Sequence, residues 1–310
     1  MSHLLGVGIV KQVHAQVYLG TMKVLNFGSI NIDHVYKVDH FVRPGETLNC
    51  HDYQCFAGGK GLNQSIALAQ AGGEVFHAGK IGKDDCWLRD RLHQHGVEIS
   101  FIELTKGPTG HAMIQVNASG ENSIVICGGA NQRVVEDDVM RIVKHFSRGD
   151  YLLVQNEVSS VADIIRISKA QGLKIVFNPA PMTPQVLNYP LDLVDIFIIN
   201  EIEAYELTKE TDPEKICRVL GEQFPQAATV LTLGESGAWY LDSEKTYYQP
   251  AEVVKSIDTT AAGDTFIGYF LTEFIETGDV QNALKKGCAA AAICVTRPGA
   301  ADSIPRKEEL

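Results

Sequence analysis

The apolar positions of the chain fall into short unbroken runs separated by longer stretches with a helical period. The runs are "KVLNFGSI" (23–30), "YLLVQNE" (151–157), "KIVFNPA" (174–180), "DIFIINE" (195–201) and "TVLTLG" (229–234). Continuous apolar runs of this length, bounded by turn residues, predict strands covered on both faces. Between them, "GLNQSIALAQAGG" puts Leu62, Ile66 and Ala69 on one face and stops at paired glycines. "SVADIIRISKAQG" spaces Val161, Ile164, Ile165 and Ile167 similarly before Gly172. Both predict helices. Alternation of strand and helix predicts an α/β fold, a mostly parallel sheet with helices on both faces. In such sheets ligands bind outside the carboxyl ends of the strands.

Two segments break the pattern. "HVYKVDHFVRPGETLNCHDYQCF" (34–56) and "TGHAMIQVNASGENSIVI" (109–126) read as strands joined by turns. In the second, Ala112, Ile114 and Val116 alternate with polar residues, and "NASGEN" is a turn. These strands are assigned to a small β-sheet lid outside the parallel core. Residues 1–22 precede the first strand run and are expected to be an extension. Residues 23–310 are expected to form one domain that carries the lid.

Composition narrows the partners. The chain has 310 residues, 45% of them hydrophobic and 21% charged, enough to bury a large core without crosslinks. A net charge of −11 argues against nucleic acid or an anionic membrane as partner. It leaves open a small anionic ligand at a locally positive site. No apolar run is long enough to span a membrane. Seven cysteines, without a CxxC, predict free thiols and a reducing, cytoplasmic setting.

Polar residues punctuate the carboxyl ends of the predicted strands: Asn31 and Asp33, Glu157, then Asn200, Glu201 and Glu203, then Thr232, Gly234 and Gly237. Any one of them alone is ordinary turn chemistry; their shared edge marks a site. "AGGKGLNQ" (57–64) leads glycines and Lys60 into a helix, so that Asn63 projects from its first turn. It lacks the GxxxxGK[ST] spacing of a Walker A loop. "DTTAAGD" (258–264) brings small residues to the start of another helix. Small side chains leave the helix N-terminal N–H groups open to an anion. The dipole alone would favour Asp264 as a cap; beside an anion hole it fits a general base for a hydroxyl attacking a phosphoryl group.

Taken in order, "GSINIDHVYKVDHFVRPGET", "GGKGLNQSIALAQAGG", "NPAP", "NEIEA", "TLGESG", "DTTAAGDTFIGYF" and "CVTRPGA" resemble the ribokinase-like family of carbohydrate kinases from about Lys23 to the end. The resemblance implies that Asp264 is the catalytic base, with Ala261, Ala262 and Gly263 as the anion hole. It implies sugar binding by Asn31, Asp33, Gly59, Lys60 and Asn63, with a further contact from Glu157. Asn200, Thr232, Gly234 and Gly237 correspond to the ATP-binding edge, and Asn200 with Glu203 to a pattern linked to Mg²⁺. Asp258, Thr260, Cys294, Arg297, Gly299 and Ser303 correspond to a loop pair for an activating K⁺, several of its ligands being main-chain carbonyls. A homodimer through the lids is implied as well. The chain departs from the family at Leu62, where alanine is usual, and at Pro298, which replaces a commonly basic residue.

The implied activity is ATP-dependent phosphorylation of the primary hydroxyl of a small sugar, with ribose foremost. A kinase for another sugar or a nucleoside stays open, with Phe41, Tyr53 and Phe56 as a conceivable base platform. So does a sugar-binding regulator without catalysis, although the intact "AAGD" argues against it. No GxGxxG follows the first strand, which disfavours a nicotinamide-dependent oxidoreductase.

Overall fold

The computed structural model describes residues 22–310, so the expected N-terminal extension lies, but for Met22, outside the described residues. In chain order the strands among them are β1 Val24–Phe27, β2 Asn31–Lys37, β3 Asp52–Gly58, β4 Val75–Gly82, β5 Glu98–Thr105, β6 Gly110–Val116, β7 Asn122–Cys127, β8 Tyr151–Gln155, β9 Lys174–Asn178, β10 Ile196–Asn200, β11 Ala228–Thr232, β12 Ala238–Leu241 and β13 Thr246–Gln249. The α-helices are α1 Lys60–Gln70, α2 Cys86–Gln94, α3 Glu136–Val143, α4 Val161–Gln171, α5 Glu201–Thr208, α6 Pro213–Gln223, α7 Ala262–Thr277 and α8 Val280–Cys294.

Nine strands make one sheet in the order β13-β12-β11-β10-β9-β8-β1-β4-β5. It is parallel from β5 across to β11. The hairpin β12–β13 closes one edge in antiparallel pairing. The five apolar runs read from the sequence are β1, β8, β9, β10 and β11. β4, β5 and the edge hairpin were not foreseen, because His77 and Lys80 interrupt β4 and the edge strands are half-exposed.

Alternate residues of each strand enter opposite core layers, as the pleat requires. Leu25, Phe27, Leu152, Val154, Ile175 and Phe177 join the layer that contains residues of α3, α4 and α6. Val24, Val75, Leu153, Val176 and Ile198 join the layer that contains residues of α1, α7 and α8. Toward the carboxyl ends of the central strands the second face turns polar. Asn26, His77, Gln155 and Asn178 lie there in adjacent register, each buried.

The expected separate small sheet is present, with four strands in the order β3-β2-β6-β7. Its first strand follows β1 after three residues, so it rises from the carboxyl edge of the main sheet. Helices α1 and α7, both on one face of the main sheet, pack closely on each other: a Cβ at Gly268 would collide with Ala67. Gly268 and Ala67 each sit one turn beyond Asp264 and Asn63. The close approach therefore sets the N-terminal turns of both helices side by side.

Candidate active site

Asp264 lies in the first turn of α7, and its residue is 7% exposed. Its Oδ2 accepts from Asn63 Nδ2 at 3.1 Å, and its Oδ1 from Gln64 Nε2 at 2.8 Å. Both donors come from the first turns of α1. Two amide donors on a buried carboxylate fix its rotamer.

The turn before Asp264 is shaped by Ala261, a non-glycine residue in the left-handed region at φ 60°. The Thr265 N–H reaches back to the Ala261 carbonyl at 2.8 Å. The Ala262 N–H is spent on the Thr259 carbonyl at 3.3 Å, so of the three residues expected to form the anion hole it has the least to offer. The N–H groups of Gly263 and Asp264 have no intrahelical acceptor by position. A Cβ built on Gly263 meets no atom within 4 Å. Packing does not require this glycine; the turn opens onto free space, as a site for a closely approaching anion would.

The glycine loop sits across from this turn. Gly59 caps α1 at φ 95°, and a Cβ at Gly58 would collide with the Asp33 carboxylate. The Lys60 N–H donates to Glu157 Oε2 at 2.9 Å, and the Ser29 hydroxyl donates to the same oxygen. Burial pushes the Glu157 carboxyl up, and the Lys60 charge offsets part of this. The negative charge of Asp264 raises Lys60, and Glu157 and Glu203 add to it, so its ammonium is held charged among three carboxylates. Burial pushes Asp33 up to about 6, with a further push from the Glu157 charge. Asn31 is buried and accepts from Asn131 Nδ2 at 2.7 Å. Asn131 is itself held by the Ile30 N–H at 3.1 Å.

Asn31, Asp33, Gly59, Lys60, Asn63, Glu157 and Asp264 thus converge. Asn200, at the end of β10, and Glu203 form a reciprocal cap: Asn200 N–H and Nδ2 donate to the two carboxylate oxygens at 2.9 and 3.0 Å. Thr232 is the register partner of Asn200 on β11, and its hydroxyl donates to the Ile199 carbonyl at 3.3 Å. Gly234 and Gly237 follow on the outward turn, where a Cβ at Gly237 would collide with Gln249. Gly237 is therefore accounted for by packing on β13.

The loop pair expected to hold K⁺ is closed on itself. Asp258 Oδ1 accepts from the Thr260 N–H at 2.9 Å and the Thr260 hydroxyl at 2.6 Å. Its Oδ2 accepts from the Gly299 N–H at 2.9 Å. Burial raises the Asp258 carboxyl, but these bonds outweigh it and the net direction is down. Cys294 Sγ lies 3.1 Å from Ser303 Oγ, which donates to the Ala300 carbonyl. Arg297 turns its guanidinium to Glu309 at 2.5 Å. The side chains of Cys294 and Arg297 therefore do not suit a hard cation; the main-chain carbonyls and Asp258 do.

Ser29, Gln64 and Asn131 were missed in the sequence. Ser29 reads as the turn after an apolar run, Gln64 as one polar position of a helix and Asn131 as loop polarity, and the partners of all three lie far off in the chain. Tyr53, weighed as a base platform, packs its ring on Tyr36 at 5.0 Å and on His34 at 6.0 Å, and is half-exposed on the lid.

Comparison with known proteins agrees with this geometry. The profile of the pfkB family carbohydrate kinase matches residues 21–307. A ribokinase of Haemophilus influenzae is 39% identical over 300 residues, covering 93% of this chain and 96% of that protein. The crystal structure of ribokinase from Cryptococcus neoformans in complex with ADP superposes with a TM-score of 0.83 at 33% identity, over 93% of this chain and 98% of that one. Arabidopsis thaliana ribokinase complexed with ribose and ATP superposes at 0.82 with 28% identity, over 93% and 97%. A buried carboxylate at an open helix N-terminus, faced by a glycine loop and matched along nearly the full length, places the assignment beyond fold likeness: the chain belongs to the pfkB family of carbohydrate kinases.

Proposed function

We propose that the protein is an ATP-dependent ribokinase, transferring the γ-phosphoryl group of ATP to the primary hydroxyl of ribose. The observation that carries this is Asp264, held by Asn63 and Gln64 in the first turn of α7, beside a Gly263 that faces open space. Asp264 takes the hydroxyl proton as that oxygen attacks in line. The N–H groups of the α7 turn and the Lys60 ammonium stabilise the charge on the transferring group. Asn31, Asp33 and the Gly59–Lys60 loop hold the sugar hydroxyls. Carboxylate acceptors orient as well as bind. The ends of β10 and β11, with Asn200 and Gly234, receive the nucleotide.

Mg²⁺ fits Glu203, whose carboxylate keeps lone pairs beyond those bonded to Asn200, and it would neutralise phosphate charge. K⁺ fits Asp258 and the carbonyls of the 294–303 loop, where it would stiffen the backbone before α7. The face of the lid opposite Asp33, where the register partners Met113 and Val125 are exposed together, supports a homodimer through the lids. Free cysteines, three of them exposed, support a cytoplasmic setting. Among the described residues no helix is long and apolar enough to cross a membrane.

A coupled ADP-release assay across ribose, deoxyribose, fructose and adenosine tests the substrate. Ribose is expected to give the highest kcat/KM. A higher value with any of the others overturns the ribose assignment.

A further inference from the structure

Beneath Asp264 the polar stripe of the main sheet forms one hydrogen-bonded chain. Gln64 Nε2 donates to Asp264 at 2.8 Å and to Asn178 Oδ1 at 3.3 Å. Its Oε1 accepts from Gln155 Nε2 at 2.6 Å. The same Gln155 amide donates to Asn26 Oδ1 at 3.0 Å. Asn26 Nδ2 donates to the Gly61 carbonyl and to Ser65 Oγ, both at 2.8 Å.

Every amide in this chain has its direction forced. Asn178 donates to the Ile198 carbonyl at 2.9 Å, so its oxygen must face Gln64. Asn26 donates to the Gly61 carbonyl, so its oxygen must face Gln155. A carbonyl and a carboxylate accept and cannot donate. Gln64 is thus required to turn its NH₂ to Asp264 and its oxygen to Gln155. Gln155 is required to donate in both directions, and its own buried oxygen is left without a partner. An unsatisfied buried acceptor is costly, and turning the amide round would set that oxygen against two more, Gln64 Oε1 and Asn26 Oδ1.

We propose that Gln64 is a positioning residue for the base Asp264, and that Gln155 acts through Gln64 by fixing which end of its amide faces the carboxylate. The inference rests on the kinase reading of Asp264. Without the Gln64 donor the carboxylate loses one of two charge-assisted bonds and its fixed rotamer, while sugar and ATP contacts stay in place. A role confined to core stability would lower the melting temperature and leave the turnover of the folded enzyme alone.

The test uses Gln64→Met and Gln155→Met, near-isosteric changes, and their double variant. Each single variant is expected to lower kcat ~10–100-fold, the loss of a hydrogen bond to a charged group, with KM for ribose and ATP changed far less. The double variant is expected to match Gln64→Met alone, because Gln155 works through it. Near-normal kcat in Gln64→Met, or multiplying effects in the double variant, would overturn the proposal. If Gln64→Met does not fold, Gln64→Glu sets a second carboxylate against Asp264, and the acid limb of the kcat/KM profile should move up by about one pH unit or more; an unmoved limb counts against it. Wild-type protein that does not phosphorylate any sugar refutes the kinase reading instead. Crystal structures then decide the positioning claim by themselves, since an Asp264 carboxylate left in place in Gln64→Met refutes it.

Discussion

The two sheets of this protein treat polarity in opposite ways. The nine-stranded sheet is covered on both faces, and its few polar side chains are interlocked beneath α1 and α7. The lid sheet has one side toward the site and one toward solvent, and β7 is exposed along its whole length. What the core contributes to the site, Asp264 with its donors, is fixed in direction by neighbours on all sides. What the lid contributes, Asn31 and Asp33, enters on a single strand that continues outward. On the proposed reading, orientation of the reacting group belongs to the first sheet, and capture of the sugar is shared between the lid strand and the Gly59–Lys60 loop.

The sharpest way to break this division is Asp264→Asn. It is expected to lower kcat by ~10²–10⁴-fold, the usual loss of a general base, with ribose and ATP affinities by calorimetry largely kept. A variant with near-normal kcat would remove the base from the core side of the comparison.

Next in size is the titration of Asp33. A carboxyl raised to about 6 must ionise to accept from sugar hydroxyls, so ribose affinity should fall about tenfold between pH 7 and pH 5 while ATP affinity holds. The sign for stability is opposite. The raised carboxyl favours the free fold fully below its ordinary value of 3.8, and that contribution is lost as pH rises through about 6. Asp33→Asn should therefore stabilise the sugar-free protein above pH 6, by on the order of 2 kcal/mol, and bind ribose poorly. Urea unfolding of Asp33→Asn beside the wild type at pH 5 and pH 8 gives the sign, because other buried groups such as His77 cancel in the difference; an equal difference at both pH values would contradict it.

A smaller effect is expected from the monovalent cation. At matched ionic strength, KCl should raise kcat several-fold over LiCl and leave KM for ribose nearly unchanged, since the loop at Asp258 adjoins the α7 turn and not the sugar. Rates indifferent to the cation would leave that loop as a structural clasp.

The smallest effect on chemistry should come from the outer lid. Val125→Lys is expected to shift the protein from dimer to monomer in sedimentation while retaining most of kcat. A monomeric wild type would count against the dimer, and a kcat lost with the dimer would show that the lid shapes more than capture.

Much of this was legible in the chain. Continuous apolar runs gave the central strands, because burial on both faces leaves a signal that needs no knowledge of neighbours. Asp264 and the glycine loop were legible because small residues at a helix start are unusual without a ligand. β4 was not, because His77 and Lys80 break its run: His77 is held neutral by burial, down to about 4, and Lys80 reaches Asp138 at 2.6 Å. His77 meets Ser65 Oγ at 2.8 Å, and neither Ser65 nor Asp138 is near in sequence, so neither satisfaction was visible. Gln64, Gln155 and Asn131 were missed for the same reason. A buried amide looks like an interruption until its acceptors, up to 200 residues away, are known.

That separation has a consequence for how the enzyme comes into being. Asn63 and Gln64 reach Asp264 across 201 and 200 positions of chain. At ribosomal rates of about 5–20 residues per second, those positions take on the order of 10–40 s to synthesise. Throughout that interval the nascent chain can shape its glycine loop and much of its parallel sheet, yet α1 presents apolar Leu62 and Ile66 with no α7 to meet. The segment that carries α7 brings both the missing cover and the proposed base. On the proposed reading, catalytic competence and closure of the core thus arrive together with α7, and a chain cut short before α7 is at once inactive and left with that apolar face open.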